Sequence, residues 1–170
     1  NRPIIAEHVG LPDHRVPFLP TDVGCAFGIR GEVYPEDFLV ALLAMRTGRP
    51  VRWIEDRREH LQAANHSREQ HHEIVLGVRR DGTIVGIHDR FWVNMGAYVR
   101  THGATAPNNT AAYVPGPYRV PHYRAEVTCV VTNKTPSGTY RAPGRFEATF
   151  VRERIVDIAA RALGMDPAEI

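Results

Sequence analysis

Lysine is almost missing from this chain. Of its 21 basic side chains only Lys134 is a lysine, and the rest are arginines. Arginine suits bidentate contacts to carboxylate or phosphate, although GC-rich coding produces the same bias. Cysteine is scarce too. Cys25 and Cys129 lie far apart, without CxxC spacing or a Cys/His cluster, which argues against a zinc site and a disulfide scaffold. Reduced thiols in a cytoplasmic setting are the default, with the periplasm as the alternative for a full enzyme. No apolar run reaches the roughly 18 residues of a spanning helix, and no charged-then-apolar leader is present. A net charge of +2 gives no bulk attraction to nucleic acid.

What remains is 170 residues of ordinary apolar content. That length fits one domain or two small subdomains, divided at about 1–66 and 67–170. The segment "RPIIAEHVG" reads as the end of a helix with Ile4, Ile5 and Val9 on one face and Gly10 as its stop. "HRVPFLP" reads as a short extended run. "YPEDFLVALLAMRTGRP" is a helix opened by Pro35, Glu36 and Asp37 and closed by Arg46 and Gly48, with Phe38, Leu42 and Met45 on one face. "VRWIEDR" is expected to be a short strand and "RREHLQAAN" a short helix or turn. Glu55 to Glu59 read as an ion-pair cluster, and Trp53 and Trp92 as core or inter-domain contacts.

From Glu69 to Tyr98 the pattern alternates with period two, and Asp81-Gly82 marks a hairpin between two long strands. His71 and His72 then face opposite sides, poor geometry for one metal. Residues 101–121 are rich in Gly, Pro, Asn and Thr and read mainly as loop. "YRAEVTCVVTN" is another strand, with Ala125, Val127, Cys129 and Val131 on one face. A helix from about Phe146 to Leu163 follows, its stripe formed by Phe146, Phe150, Ile155, Ile158 and Ala162 and its end capped by Gly164. "MDPAEI" resembles the first turn of a further helix. The predicted class is α+β: a mixed sheet with a long antiparallel hairpin and helices packed on it.

Two glycine-bearing loops each feed a helix: "GCAFGIRG" and "TYRAPGRFE". Glycine lets backbone approach a ligand, and a helix start offers unpaired N–H groups to an anion. Arg30, Arg141 and Arg145 add charge-assisted donors. Neither loop has the lysine and Ser/Thr of a P-loop or the spacing of a dinucleotide motif. Taken alone, the loops also fit ordinary turns with solvated arginines. Cys25 reads as a small packing residue within the first.

The order of segments is more specific than any one of them. "DVGCAFGIRGEVYPEDF", "RPVRWIEDRREH", "REQ", "DGTIVGI", "NMGAY", "PGPYRVPHY" and "NKTPSGTYRAPGRFEATFVRER" together resemble the molybdopterin-binding large subunit of the xanthine dehydrogenase and aldehyde oxidase family. The resemblance is collinear from about Gly10 to Ile170 and implies a fragment of that subunit. It implies a molybdenum hydroxylase, which oxidises an aldehyde or N-heterocycle with water as the oxygen source. The cofactor implied is molybdopterin carrying molybdenum, or its cytosine dinucleotide form. The implied partners are the rest of the large subunit, an iron–sulfur subunit with [2Fe–2S] clusters and an FAD subunit, in a dimeric assembly acting on a small molecule. Carried over by position, Gly24, Phe27 and Gly28 fall in the family's glycine-rich loop, and Arg141 and Gly144 in its second cofactor loop. No side chain of this chain is implied as a metal ligand, and the family's general-base glutamate lies in a segment not contained here.

The departures narrow the expectation. Cys25 and Ala26 stand where the family usually has glycines, so left-handed backbone there would be strained. Arg30 replaces the usual lysine. Gly31 stands where purine oxidisers carry glutamate, Ala142 where carbon monoxide dehydrogenases carry a copper-binding cysteine, and Pro143 replaces a substrate-stacking ring. A second reading stays open at this point: a non-catalytic interaction or assembly domain that does not bind cofactor alone.

Overall fold

The computed structural model describes residues 1–170, which divide into two compact units, Asn1–Ala64 and Asn65–Ile170. No helix is long and apolar enough to cross a membrane.

The first unit is helical. Helix α1 (Arg2–Val9) buries Ile5 and Ala6 and ends where Gly10 turns left-handed at φ 72°. Helix α2 (Pro35–Thr47) begins with Pro35 and ends at left-handed Gly48, while Asp37 accepts from the Tyr34 amide at 2.9 Å. The His8 and Phe38 rings, 5.0 Å apart, join the two helices. The expected Phe38 stripe is not a core, because no residue of α2 is buried and Leu42 and Met45 are exposed. The extended run at residues 14–20 instead opens with a 3-10 turn at Asp13–Arg15.

Helix α3 (Arg57–Ala63) starts from a reciprocal cap. Asp56 accepts from the Glu59 amide at 2.8 Å, and Glu59 accepts from the Asp56 amide at 2.9 Å. These carboxylates therefore serve the helix start rather than an ion-pair cluster, and Glu55 bonds His60 instead. The strand expected at "VRWIEDR" does not form. A strand needs a neighbour to take its N–H and C=O groups, and this unit contains no other strand. Trp53, 54% exposed, is not a core residue.

The second unit is the α+β body that the patterning predicts. Strands β1 (Gln70–Val78) and β2 (Ile84–Gly96) pair antiparallel across the Asp81-Gly82 turn. Strand β3 (His122–Val131) lies parallel to β2, giving a mixed sheet in the order β1-β2-β3. A parallel neighbour requires a long crossover, commonly helical. Here it contains helix α4 (Thr105–Tyr113), in residues whose composition reads as loop. Buried Ala106, Pro107 and Thr110 hold this helix by tertiary contact, which overrides weak propensity.

Helix α5 (Arg145–Leu163) completes the layer and ends at left-handed Gly164. It buries Glu147, Ala148, Val151, Arg152, Val156, Ala159 and Ala160. The predicted stripe is turned outward, with Phe146, Phe150 and Ile158 exposed. One core joins Ile87, Val114 and Ala148, and a second joins Phe91, Val93 and Met95. Strand β3 is an edge, so its expected apolar face is open: Cys129 and Val131 are exposed. "DPAEI" forms a turn, closed by the Glu169 amide donating to the Asp166 carbonyl at 2.9 Å.

Candidate functional site

The sequence-predicted residues divide between the units. Gly24, Phe27 and Gly28 belong to the first, and Arg141 and Gly144 to the second. Each loop is built locally.

In the first loop, Cys25 (φ 48°) and Phe27 (φ 47°) both take the left-handed backbone that non-glycine residues avoid, and Gly28 follows at φ 102°. Ala26 between them does not. Left-handed residues are one component of the backbone nests that bind anions. Past Gly28 the chain closes into a 3-10 turn, Ile29–Gly31, with the Gly31 amide donating to the Gly28 carbonyl at 2.9 Å. The Tyr34 hydroxyl donates to the Ile29 carbonyl at 3.1 Å, which ties the loop to the start of α2. Cys25 is exposed, so it is not a packing residue. Phe27 is 48% exposed. A cavity of about 290 Å³ in this unit is lined by Ile29, Arg30, Glu32 and Glu36, not by Gly24, Phe27 or Gly28.

The second loop is braced on two sides. The Arg141 carbonyl accepts from Arg68 Nη2 at 3.1 Å. The Pro143 carbonyl accepts from Asn109 Nδ2, on α4, at 3.1 Å. Between them Ala142 is left-handed at φ 57°, and Gly144 at φ 77° opens α5. Gly144 has no room for a side chain, since an added Cβ would lie 2.5 Å from the Thr110 amide nitrogen and 2.6 Å from the Ala106 carbonyl. The Arg141 side chain is exposed. The Arg145 guanidinium sits 5.2 Å from the centre of the Tyr113 ring, so it is engaged within the unit.

A buried polar line runs behind this loop. His72 Nδ1 bonds the Asp89 carboxylate at 3.0 Å, and the His72 ring stacks on Phe91 at 4.5 Å. The other His72 ring nitrogen meets Gln70 Oε1 at 3.0 Å. Gln70 Nε2 in turn donates to the Thr110 hydroxyl at 3.1 Å. The paired histidines face opposite sides of β1: His72 inward, and His71 outward against Trp92. This line connects the sheet to the helix turn on which Gly144 rests.

Nowhere do three His, Cys, Asp or Glu side chains converge as metal ligands. An anionic group at the first loop would meet main-chain amides, and one at the second would meet arginine.

The sequence of the whole chain decides the family. Residues 1–170 match the molybdopterin cofactor-binding domain family. The chain belongs to that family. The gamma subunit of the 6-hydroxypseudooxynicotine dehydrogenase complex of Paenarthrobacter nicotinovorans is 44% identical over 99% of this chain and 21% of its own length. The large subunit of nicotine 6-hydroxylase from the same organism is 34% identical, over 95% of this chain and 20% of its own. Among solved structures, quinoline 2-oxidoreductase of Pseudomonas putida 86 superposes with a TM-score of 0.88 at 37% identity, covering 98% of this chain and 21% of that one. The chain thus spans about a fifth of the length of these relatives. The α+β fold is that of the molybdopterin-binding domain, and these relatives are by name a dehydrogenase, a hydroxylase and an oxidoreductase.

Sequence reading found the two loops but not their braces. Arg68 stands in the quoted "REQ" motif, yet nothing in its spacing shows that it reaches Arg141. Asn109 and Thr110 were hidden in a segment read as loop. Glu147 is a carboxylate in a helix, for which exposure is the ordinary expectation.

Proposed function

We propose that this chain is part of the large subunit of a molybdenum hydroxylase that oxidises a nitrogen-containing aromatic ring with oxygen drawn from water. The names of the relatives support the substrate class, since nicotine and quinoline carry nitrogen heterocycles. Gly31 and Ala142, lacking the residues that mark purine and carbon monoxide oxidation, agree with it.

In this reading Gly24, Phe27 and Gly28 offer main-chain amides to the cofactor, and Arg141 and Gly144 form a second contact. The observation that carries the proposal is the left-handed backbone at Cys25 and Phe27, a conformation that costs energy and is retained in a glycine-rich loop. When bound, molybdopterin supplies a Lewis-acidic metal and an acceptor for the substrate's electrons. This chain's part is to hold that group: amides of the first loop stabilise negative charge beside the metal, and Arg141 offers a guanidinium to an anionic oxygen. The general base comes from outside these residues. Iron–sulfur and FAD subunits carry electrons away, in a dimeric, cytoplasmic assembly. The rest of the large subunit covers the exposed apolar faces, namely Leu39, Leu42, Leu43 and Met45 of α2 and Phe146 and Phe150 of α5.

The test is Arg141→Ala in the complete assembly. Loss of molybdenum from the protein, or a fall in kcat of about 100-fold or more, is the expected result. Hydroxylation of quinoline-type rings should exceed oxidation of aromatic aldehydes. An assembly that contains no molybdenum when purified would remove the proposal.

A further inference from the structure

We infer that Arg68 is a positioning residue for the Arg141–Gly144 loop, and that Glu147 holds the Arg68 guanidinium to that task. The inference rests on the proposed cofactor contact of this loop.

Arg68 reaches the loop because its own segment is laddered to the segment leading into it. The His66 amide donates to the Pro136 carbonyl at 3.1 Å, and the Gly138 amide donates to the His66 carbonyl at 2.9 Å. Arg68 itself is left-handed at φ 74°. It and Ala142 are the non-glycine residues of this unit with positive φ, and they meet at the same loop. Strain of this kind persists where the surroundings over-determine it.

One guanidinium group makes four contacts. It lies 4.0 Å from the centre of the Phe146 ring and 5.1 Å from that of Tyr140. Nη2 donates to the Arg141 carbonyl. Nη1 is 3.9 Å from Glu147 Oε2. The rings come from either end of the loop, so the group brackets it while fixing the peptide that carries Arg141. A planar fork with two faces can do this, whereas an ammonium point charge cannot.

Glu147 explains why the guanidinium stays. Its side chain is 6% exposed, and neither carboxylate oxygen has a hydrogen bond within the chain. It is not a helix cap, because neither oxygen accepts from a backbone amide of the first turn. Its charge therefore has Arg68 as its compensating partner. Asn109 fixes the far side of the loop through Pro143, so the two braces leave the Arg141 side chain directed by a peptide held from both ends.

The test is hydrogen–deuterium exchange on the complete enzyme, comparing wild type with R68M, R68K and E147Q, alongside molybdenum content. R68M should raise exchange over residues 139–145 about tenfold while β2 and the second half of α5 stay at wild-type rates. R68K should fall between the two, and E147Q should loosen the same residues less than R68M. If R68M leaves the loop within twofold of wild type, or loosens β2 and α5 equally, Arg68 is not a positioning residue. Should R68M fail to accumulate, R68K and E147Q decide by the same criterion. A looser loop in R68M, together with full molybdenum content in both R68M and R141A, would remove the cofactor reading and leave the brace. Lost molybdenum with an unchanged loop would remove the brace.

Discussion

A β-carbon on Gly144 would lie 2.5 Å from the backbone nitrogen of Thr110. Neither atom can yield, since one is fixed at a left-handed helix start and the other lies inside α4. Gly144→Ala should therefore destabilise the protein by about 3 kcal/mol, combining backbone overlap with the left-handed penalty. Denaturant unfolding measures it, and a loss below about 1 kcal/mol would mean that α4 shifts freely. Gly24 is the contrast. A Cβ there meets nothing within 4 Å, and its φ is not positive. Gly24→Ala should leave stability within about 0.5 kcal/mol but lower the molybdenum content of the complete enzyme. Full content in that variant would take Gly24 out of the proposed contact.

The strain at Cys25 and Ala142 can be relieved by glycine. Left-handed backbone costs a non-glycine residue about 1–2 kcal/mol, while glycine gives back about 0.5–1 kcal/mol in unfolded-state entropy. Cys25→Gly and Ala142→Gly should each raise stability by about 0.5 kcal/mol. Equilibrium denaturation of the two variants checks this, and a decrease in both would show that the loops relax in solution.

Much of this architecture was legible because its signals are local. Gly10, Gly48 and Gly164 stop helices where the chain needs a left-handed residue, and Asp81-Gly82 turns the hairpin. What failed depended on neighbours. Val51–Asp56 has strand composition but no strand beside it. Residues 105–113 mix three alanines with Pro107, two asparagines and two threonines, and tertiary contacts hold them as a helix. In α5 an apolar stripe was readable, but Glu147 and Arg152 are buried in place of Phe146 and Phe150, and a rule that buries apolar residues cannot foresee that. The same holds at the site. Glycines and Arg141 mark the loops in the sequence, whereas Arg68 and Asn109 matter only through contacts that fold topology creates.

Tyr123 gives a pH dependence. Burial pushes its phenol far above the ordinary range, and the nearby Asp89 carboxylate adds to the shift. The hydroxyl donates to the Ala111 carbonyl at 2.6 Å. An unfolded tyrosine loses its proton at about pH 10, whereas the folded one keeps it. The folded state then holds the extra proton, so this contribution is whole below about pH 10 and declines as pH rises further. Tyr123→Phe should cost about 1 kcal/mol at pH 8 through the lost bond. That difference should narrow by pH 11, as read from denaturation at both values. A difference that stays constant would mean that Tyr123 titrates normally.

Arg152 supports α4 from the opposite end. Its side chain, 9% exposed, donates from Nη1 to the Tyr113 carbonyl at 2.9 Å and from Nε to Glu153 at 2.7 Å. The Tyr118 hydroxyl donates to the same Glu153 at 2.6 Å. A cation on the last carbonyls of a helix satisfies groups that have no partner within it. Arg152→Met keeps the length of the stem but leaves the Tyr113 carbonyl with the Gly116 amide alone, at 3.0 Å, and loosens Glu153. It should cost about 2–3 kcal/mol, with faster amide exchange over residues 110–118 and unchanged rates in β1. Because Thr110 also seats Gly144, the disturbance should reach the Arg141–Gly144 loop, and exchange over residues 141–145 should rise as well. Unchanged exchange there would separate the two ends of α4 into independent supports.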